Sequence, residues 1–418
     1  MSLLGVGFSL HADREFLELT GPIIEEDADY FEVAPETLWR SGADDFEPND
    51  YFDLFLGLKR RSGRPFTAHG LAFSLGSDPS ESTEATRFER WLSGLASCHA
   101  AFEFEWFSDH LGWAFADGLN SVFPLPLPMT EEAVRRVAVR LDHIARIVPR
   151  VAFENGADAF RLGPPGLEAS FWNGIMRHSG ARMLLDLHNL YTESVNLGFD
   201  PENVLRGLDL SRVIQIHLSG GSESDPDWML SGRRFRLDSH DNEIPEEVWC
   251  LFESVLPHCH GLRGVVVERL NGTVHSAEDV DGLRREIRRA RDLLEARDLA
   301  APRPPRPALP LPTGGGLSAL QRHLIRHVPD SDSFPLLDVA TFPELRHVDP
   351  EGYRLTTLIV RKLRFERLCL AHGEVARAFE AEPEALLELY GRFVRQVPPT
   401  AIFPSDDAQA WQAWRFAP

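Results

Sequence analysis

The sequence predicts an α/β fold: a (β/α)8 TIM barrel followed by a small, mainly helical C-terminal domain. Eight short apolar runs alternate with helical patterns along the first 299 of its 418 residues. Several runs are apolar at successive positions, as parallel strands covered on both faces must be. Six of them end in a histidine or a carboxylate. A doubly wound sheet would spread such strand ends along a line, whereas a barrel gathers them at one mouth.

The predicted strands are GVGFSL (5–10), YFEVAP (30–35), FTAHGLA (66–72), FEFEWFS (102–108), VAFEN (151–155), ARMLLDL (181–187), VIQIHLS (213–219) and GVVVERL (264–270). Helical spacing falls at 49–61, 84–98, 131–148, 167–179, 201–208, 246–256 and 277–297. Thr130 is placed to cap the third of these, and Glu131 and Glu132 suit its positive N-terminus. Residues 300–316, AAPRPPRPALPLPTGGG, combine proline stiffness with glycine freedom and read as an interdomain linker. Residues 317–418 then follow as a helical unit. The predicted domains are therefore 1–299, 300–316 and 317–418.

Composition excludes several partners. The formal net charge is −21, which argues against a nucleic-acid backbone or an anionic membrane surface. No apolar run approaches the roughly 20 residues that span a bilayer. The N-terminus lacks a basic region and a cleavage site, so a cytoplasmic location is expected. The four cysteines, without CxxC spacing, read as reduced thiols.

The strand ends carry the chemistry. They supply His69, His110, Glu154, Asp186, His217 and Glu268, and the loop LDSHDNEIP adds Asp238 and His240. Imidazole and carboxylate donors without cysteine suit iron, manganese or zinc. An ion with open positions needs roughly three protein ligands, so this set serves two ions, or three with a bridging carboxylate. Glu154, central in strand order and flanked by histidine strands, is the expected bridge. Burying these carboxylates together without cations would force them to protonate or separate. Asp109, Asn155 and Asn189 are expected to orient ligands. The tract His258-Cys259-His260 lies at the opposite barrel end and reads as an exposed loop. The arginines of 284–297 read as a solvated helix face, and FPLPLPM (123–129) as a loop walling the substrate groove.

These residues resemble the multinuclear non-haem iron-dependent oxidases (the MNIO family), typified by the methanobactin-maturation enzyme MbnB and the thiaglutamate-pathway enzyme TglH. The collinear stretches are GVGFSL, FEVAPE, AHGLAFSLGS, SDHLGWA, FENG, LLDLHNLYTESVNLGFDP, IQIHLSGG, LDSHDNEIPEEVW and VVVERLNG. The resemblance implies two or three iron ions, O2 as co-substrate, no further cofactor, and oxidation of a residue of a ribosomally made precursor peptide, cysteine first and aspartate second. It implies iron ligation by His69, His110, Glu154, Asp186, His217, Asp238, His240 and Glu268, with Glu154, Asp186 and His240 assigned to catalysis. Asn155, His188, Asn189 and Asn196 would support the ligands or meet the substrate, and Tyr191 would help shape the pocket. The chain departs from the usual pattern at Ala34, Thr37, His188 and Gly221, where relatives carry histidine, asparagine, asparagine and histidine. Relatives act with a small leader-binding partner, so 317–418 is expected to be that partner fused in cis. The competing readings are a zinc or manganese isomerase or hydrolase of the sugar isomerase and abasic endonuclease type, and a peptide-binding or metal-storage protein without turnover.

Overall fold

The computed structural model describes residues 3–40, 46–302, 304–330 and 333–416. Its strands are β1 (Gly5–Leu10), β2 (Phe31–Val33), β3 (Phe66–Gly70), β4 (Phe107–His110), β5 (Trp113–Ala116), β6 (Leu119–Leu125), β7 (Val151–Glu154), β8 (Arg182–Asp186), β9 (Val213–Leu218) and β10 (Gly264–Val267). Eight of them close a parallel barrel in the order β1-β10-β9-β8-β7-β4-β3-β2. Helices cover the outer face, as parallel strands require. No described helix is long and apolar enough to cross a membrane.

Period-two alternation sets what faces the barrel axis. Tyr30, Trp106, Ala152, Leu184, Ile214 and Val266 form an apolar plug. Two residues further along four of these strands stand Glu32, Glu154, Asp186 and Glu268. The strand register aligns them with histidines: His110 pairs with Glu154, and Asp186 with His217. The site layer therefore lies directly above the plug.

The expected helices form with end shifts of a few residues, and Thr130 caps as expected, its hydroxyl accepting from Ala133 N at 3.2 Å. Three segments differ. Residues 102–108 do not form one strand: the helix Ser82–Phe102 runs to Phe102, Glu103 turns the chain at φ +49°, and β4 starts at Phe107. Phe102 instead packs on Phe66 with ring centroids 5.3 Å apart, so the alternating pattern there records helix-end packing. The expected strand 181–187 stops at Asp186, whose carboxylate caps a helix Leu187–Leu197 by accepting from Asn189 N. Residues 123–125 of the expected proline loop 123–129 instead end β6, which pairs with β5 in a hairpin turning at Asp117 and Gly118, both at positive φ. That Asp-Gly pair is the turn signal a hairpin needs.

The described residues of 300–316 form a strap along the barrel flank. Ala300 N donates to Pro257 O (2.9 Å), Leu309 N to Ser170 Oγ (2.8 Å), and Pro312 O accepts from Glu131 N (2.9 Å). Pro257 follows the end of the helix Glu246–Val255 and Glu131 begins the helix Glu131–Ala145, so the strap climbs toward the mouth. The helix Leu317–His327 then packs beside β5 and β6, and Gln321 Nε2 donates to Gly76 O (2.8 Å). Leu317 to Val360 contribute to the same apolar core as the barrel, whereas Phe365, Leu368, Tyr390, Phe393 and Trp411 build a separate small one. The helix Pro350–Ala371 crosses to the mouth loops, with Arg354 Nε on Trp228 O (3.0 Å).

Candidate metal centre

The strand ends converge. Among the described residues, three groups can hold a cation: His69, His110 and Glu154; Glu154, Asp186, His217 and Glu268; and His188, Asp238 and His240. Glu154 belongs to two of them and uses a different oxygen for each. Its Oε2 lies 3.4 Å from His69 Nε2 and 3.3 Å from His110 Nε2, while its Oε1 lies 3.4 Å from His217 Nδ1. Glu268 Oε2 is 3.1 Å from the same His217 nitrogen and 3.9 Å from His240 Nδ1, linking the second group to the third. Ligands about 2.1 Å from one ion stand roughly 3.0–3.4 Å apart, so most of these separations are those of ligand edges.

Each imidazole is aimed from behind. His69 Nδ1 lies 3.0 Å from Ser108 Oγ, leaving Nε2 toward Glu154. His110 Nδ1 lies 3.2 Å from Gly70 O. His217 Nε2 lies 3.0 Å from Glu32 Oε1, leaving Nδ1 for the cluster. Glu32 is in turn held by Gln215 Nε2 at 2.6 Å and Thr67 Oγ1 at 3.1 Å. One anchored nitrogen and one aimed nitrogen is how metal-ligating histidines are oriented.

The amide side chains do the same for Asp186. Asn155 Nδ2 donates to its carbonyl (2.9 Å) and Asn155 Oδ1 accepts from its N–H (3.0 Å). Asn189 N donates to Asp186 Oδ1 (2.6 Å), and Asn189 Nδ2 is tied to Asn155 O (3.1 Å). Asp186 Oδ2 and Glu154 Oε2 are buried without a hydrogen-bond donor. His240 sits at φ +48°, a conformation bulky residues avoid, with Nε2 2.6 Å from Asp238 Oδ1.

Electrostatics ask for positive charge here. Burial alone would lower the His110 and His240 pKa values. The neighbouring carboxylates, Glu154 and Asp109 for one and Asp238 and Glu268 for the other, instead raise each to about 10. His217 rises well above its usual value, against its burial, through Glu268 and Glu32. Glu268 falls to about 2 and Glu154 well below the carboxylate range, because the histidines outweigh desolvation. Asp186 goes the other way: burial and then Glu154, Asp238 and Glu268 push it well up. The cluster takes up protons where a divalent cation would serve, and Asp186 has a free oxygen facing it. The residues fit bound metal.

A cavity of about 740 Å³ opens above the third group. Asp238, Asn196, Arg236, Leu270 and Thr273 line it from the barrel. Leu355, Leu358, Ile359, Lys362 and Leu363 line it from the helix Pro350–Ala371, and Phe123 joins from β6. Asn196 pins the 236 segment through hydrogen bonds of 3.0 and 2.9 Å to Arg236 O and N. Tyr191 lies under the Arg236 guanidinium, 4.8 Å away, and not among the lining residues.

The sequence-derived donors all reach the site. Two residues play larger parts than the sequence reading gave them. Glu32, two residues beyond Tyr30 on the inward face of FEV, stands behind His217 although it ends no strand. His188 joins Asp238 and His240 in the third group. Cys259 of the expected exposed loop is buried, and burial pushes its thiol up to about 12. The arginines at 284, 289 and 291 are paired, with Asp27, Glu246 and Asp29 among their partners.

Over residues 3–295 the chain matches the family described as "RiPP precursor modification enzyme MbnB/TglH/ChrH", where RiPP denotes a ribosomally synthesised, post-translationally modified peptide. It is 30% identical over 298 residues to a UPF0276 protein of Rhizorhabdus wittichii, covering 71% of this chain and 96% of that one. A UPF0276 protein of Anaeromyxobacter sp. is 34% identical over 254 residues, covering 60% and 80%. Similar solved structures include D-psicose 3-epimerase of Clostridium cellulolyticum, with TM-score 0.42, 13% identity and coverage of 70% and 98%. Endonuclease IV of Thermus thermophilus gives TM-score 0.42, 19% identity and coverage of 68% and 98%. The chain belongs to the MbnB/TglH/ChrH family.

Proposed function

We propose that this member of the RiPP precursor modification family is an O2-dependent, multinuclear non-haem iron oxidase. It would modify one residue of a ribosomally synthesised precursor peptide, cysteine first and aspartate second. The observation that carries the reading is the division of Glu154 between two donor groups, Oε2 to one and Oε1 to the other. That is the geometry of a carboxylate joining two ions. Two or three iron ions held there would supply one-electron chemistry and open positions for O2 and a substrate thiolate or carboxylate.

The chain's own residues set the conditions. Ser108, the Gly70 carbonyl and Glu32 fix the imidazoles of His69, His110 and His217. Asn155 and Asn189 fix Asp186, leaving Oδ2 free toward the centre. His240, bonded to the cavity-lining Asp238, stands on the side from which a substrate residue arrives. Phe123, Leu270, Leu355, Ile359 and Leu363 give that approach an apolar wall. Residues 317–418 act, in this reading, as the precursor-recognition partner fused in cis, which raises the local concentration of peptide at the mouth. Their helix forms one wall of the cavity, which favours this role.

The full chain is purified without oxygen and its metals are counted. O2 and candidate precursors bearing cysteine or aspartate are then added. Iron with an O2-dependent mass change in the peptide is the expected result. Zinc or manganese with turnover indifferent to O2 would move the assignment to a metal-assisted isomerase or hydrolase. Deleting 317–418 is a poor probe of the fused unit, because Leu317 to Val360 pack into the barrel core. Ile359→Arg tests it instead: metal content stays and peptide turnover falls.

A further inference from the structure

We infer that His188 is itself a metal ligand, completing a third cation position with Asp238 and His240, and that Gly221 provides the room for its imidazole. The inference rests on the metal-centre reading above but not on iron or O2.

His188 is fully buried and is the second residue of the helix Leu187–Leu197, directly after Asp186 and its cap. Its Nδ1 lies 3.3 Å from Asp238 Oδ1, the oxygen that His240 Nε2 approaches to 2.6 Å. Its other nitrogen, Nε2, lies 3.4 Å from Thr192 Oγ1, one helical turn on. This is the arrangement found at His69, His110 and His217: one nitrogen anchored from behind, the other aimed at a shared carboxylate. A histidine that served only to orient Asp238 would need no anchor on its far side.

Space is the second observation. A Cβ placed on Gly221 would stand 2.9 Å from His188 Cε1 and 3.2 Å from its Nε2. It would also stand 2.1 Å from Leu237 O, the residue before Asp238. Any side chain at 221 would therefore displace both the imidazole and the loop that carries Asp238.

The test uses zinc, which is redox-inert, so that a failure of the proposed oxidation leaves it intact. The full chain is stripped with chelator, dialysed against Zn(II) and analysed for metal. Its fold is checked by circular dichroism. Wild type should bind one ion for each of the three donor groups. His188→Gln keeps an N–H donor for Asp238 but lacks imidazole, and His188→Phe lacks both. Each should bind one ion fewer than wild type. A wild-type count in His188→Gln would show that His188 only positions Asp238 and would overturn the inference. So would a wild type that saturates one ion short, or a Gln variant that loses more than one, since the other groups share no ligand with His188. If His188→Phe fails to fold, the Gln variant alone decides.

Discussion

On four strands of this barrel the inward face carries a residue of the plug and, two positions later, a carboxylate: Tyr30 and Glu32, Ala152 and Glu154, Leu184 and Asp186, Val266 and Glu268. The lower layer is fully buried and held mainly by apolar packing. Its polar atoms are few and paired, as when Trp106 Nε1 donates to Gln215 Oε1 at 2.7 Å. The upper layer is nearly as buried but is charged, and its histidines and carboxylates satisfy one another only in part. Burial therefore means different things two residues apart. Below it yields stability through removed apolar surface. Above it is tolerated where positive charge is supplied, by protons on the histidines or by bound metal.

Substitutions that exchange the properties of the two layers would break this contrast, and the largest effect is expected at Glu154. Glu154→Ala should lose metal from both groups that share it and abolish the proposed O2-dependent turnover, while the barrel still folds. Metal analysis with circular dichroism reads this, and a variant with full metal content would mean the two layers do not differ as argued. Trp106→Ala is the mirror experiment. It should destabilise the chain by about 3–5 kcal/mol in denaturant melts, as large-to-small core changes do, and leave metal binding to the folded chain intact.

Smaller effects test the seam between the layers. Glu32→Gln keeps the size of the group behind His217 but removes its charge. Metal affinity should fall by about 10–100-fold, the usual effect of losing a group that orients a ligand, with little change in melting. The metal-stripped chain should also show the charge balance of the upper layer in its pH dependence. His110 and His240 are raised to about 10, so their contribution to stability is whole below the unfolded histidine pKa and disappears as pH rises through about 10. Glu268 is depressed to about 2, so its contribution is whole above the unfolded carboxylate pKa and disappears as pH falls through about 2. Melting temperatures of the stripped chain should fall on both sides of the mildly acidic range, and saturating metal should flatten the alkaline limb. The smallest effect concerns thiols. Cys98 and Cys259 are buried with pKa values raised to about 12, whereas Cys250 is exposed. A thiol reagent at pH 8 should label Cys250 rapidly and Cys98 and Cys259 only on unfolding.

Much of the donor layer was legible because the side-chain period of a strand is two. An apolar residue facing the axis places the residue two further on above it, and a carboxylate or histidine there stands out against an apolar run. Glu154, Asp186 and Glu268 obey this rule, each two residues beyond a plug residue, whereas His217 stands two beyond the polar Gln215 and is marked by its place at a strand end. Glu32 obeys the same rule, two residues beyond Tyr30, but stands in mid-strand, where the strand-end pattern does not single it out. His188 could not be found by period at all. It lies on a helix that begins at once after β8, and the strand pattern of MLLDL hides the Asp186 cap that starts it. The hairpin of β5 and β6 was legible in Asp117-Gly118, but the prolines beyond it read more loudly as loop. The expected strand over 102–108 failed because Phe102 and Phe104 alternate like strand residues while packing a helix end.

The sequence by itself determined the barrel, its helical tail and the chemistry of the mouth. These follow from local rules: the alternation of apolar runs, the two-residue period, and the few residue types able to bind a cation. Tertiary structure decided which atoms share an ion. The oxygens of Glu154 part toward different histidines because β4 and β9 lie in register on either side of β7 and β8. It also decided that the described residues of 300–316 form a strap and that the helix Pro350–Ala371 walls the cavity. Those outcomes depend on where distant segments meet across the barrel, and that closeness in space leaves no trace in the order of residues along the chain.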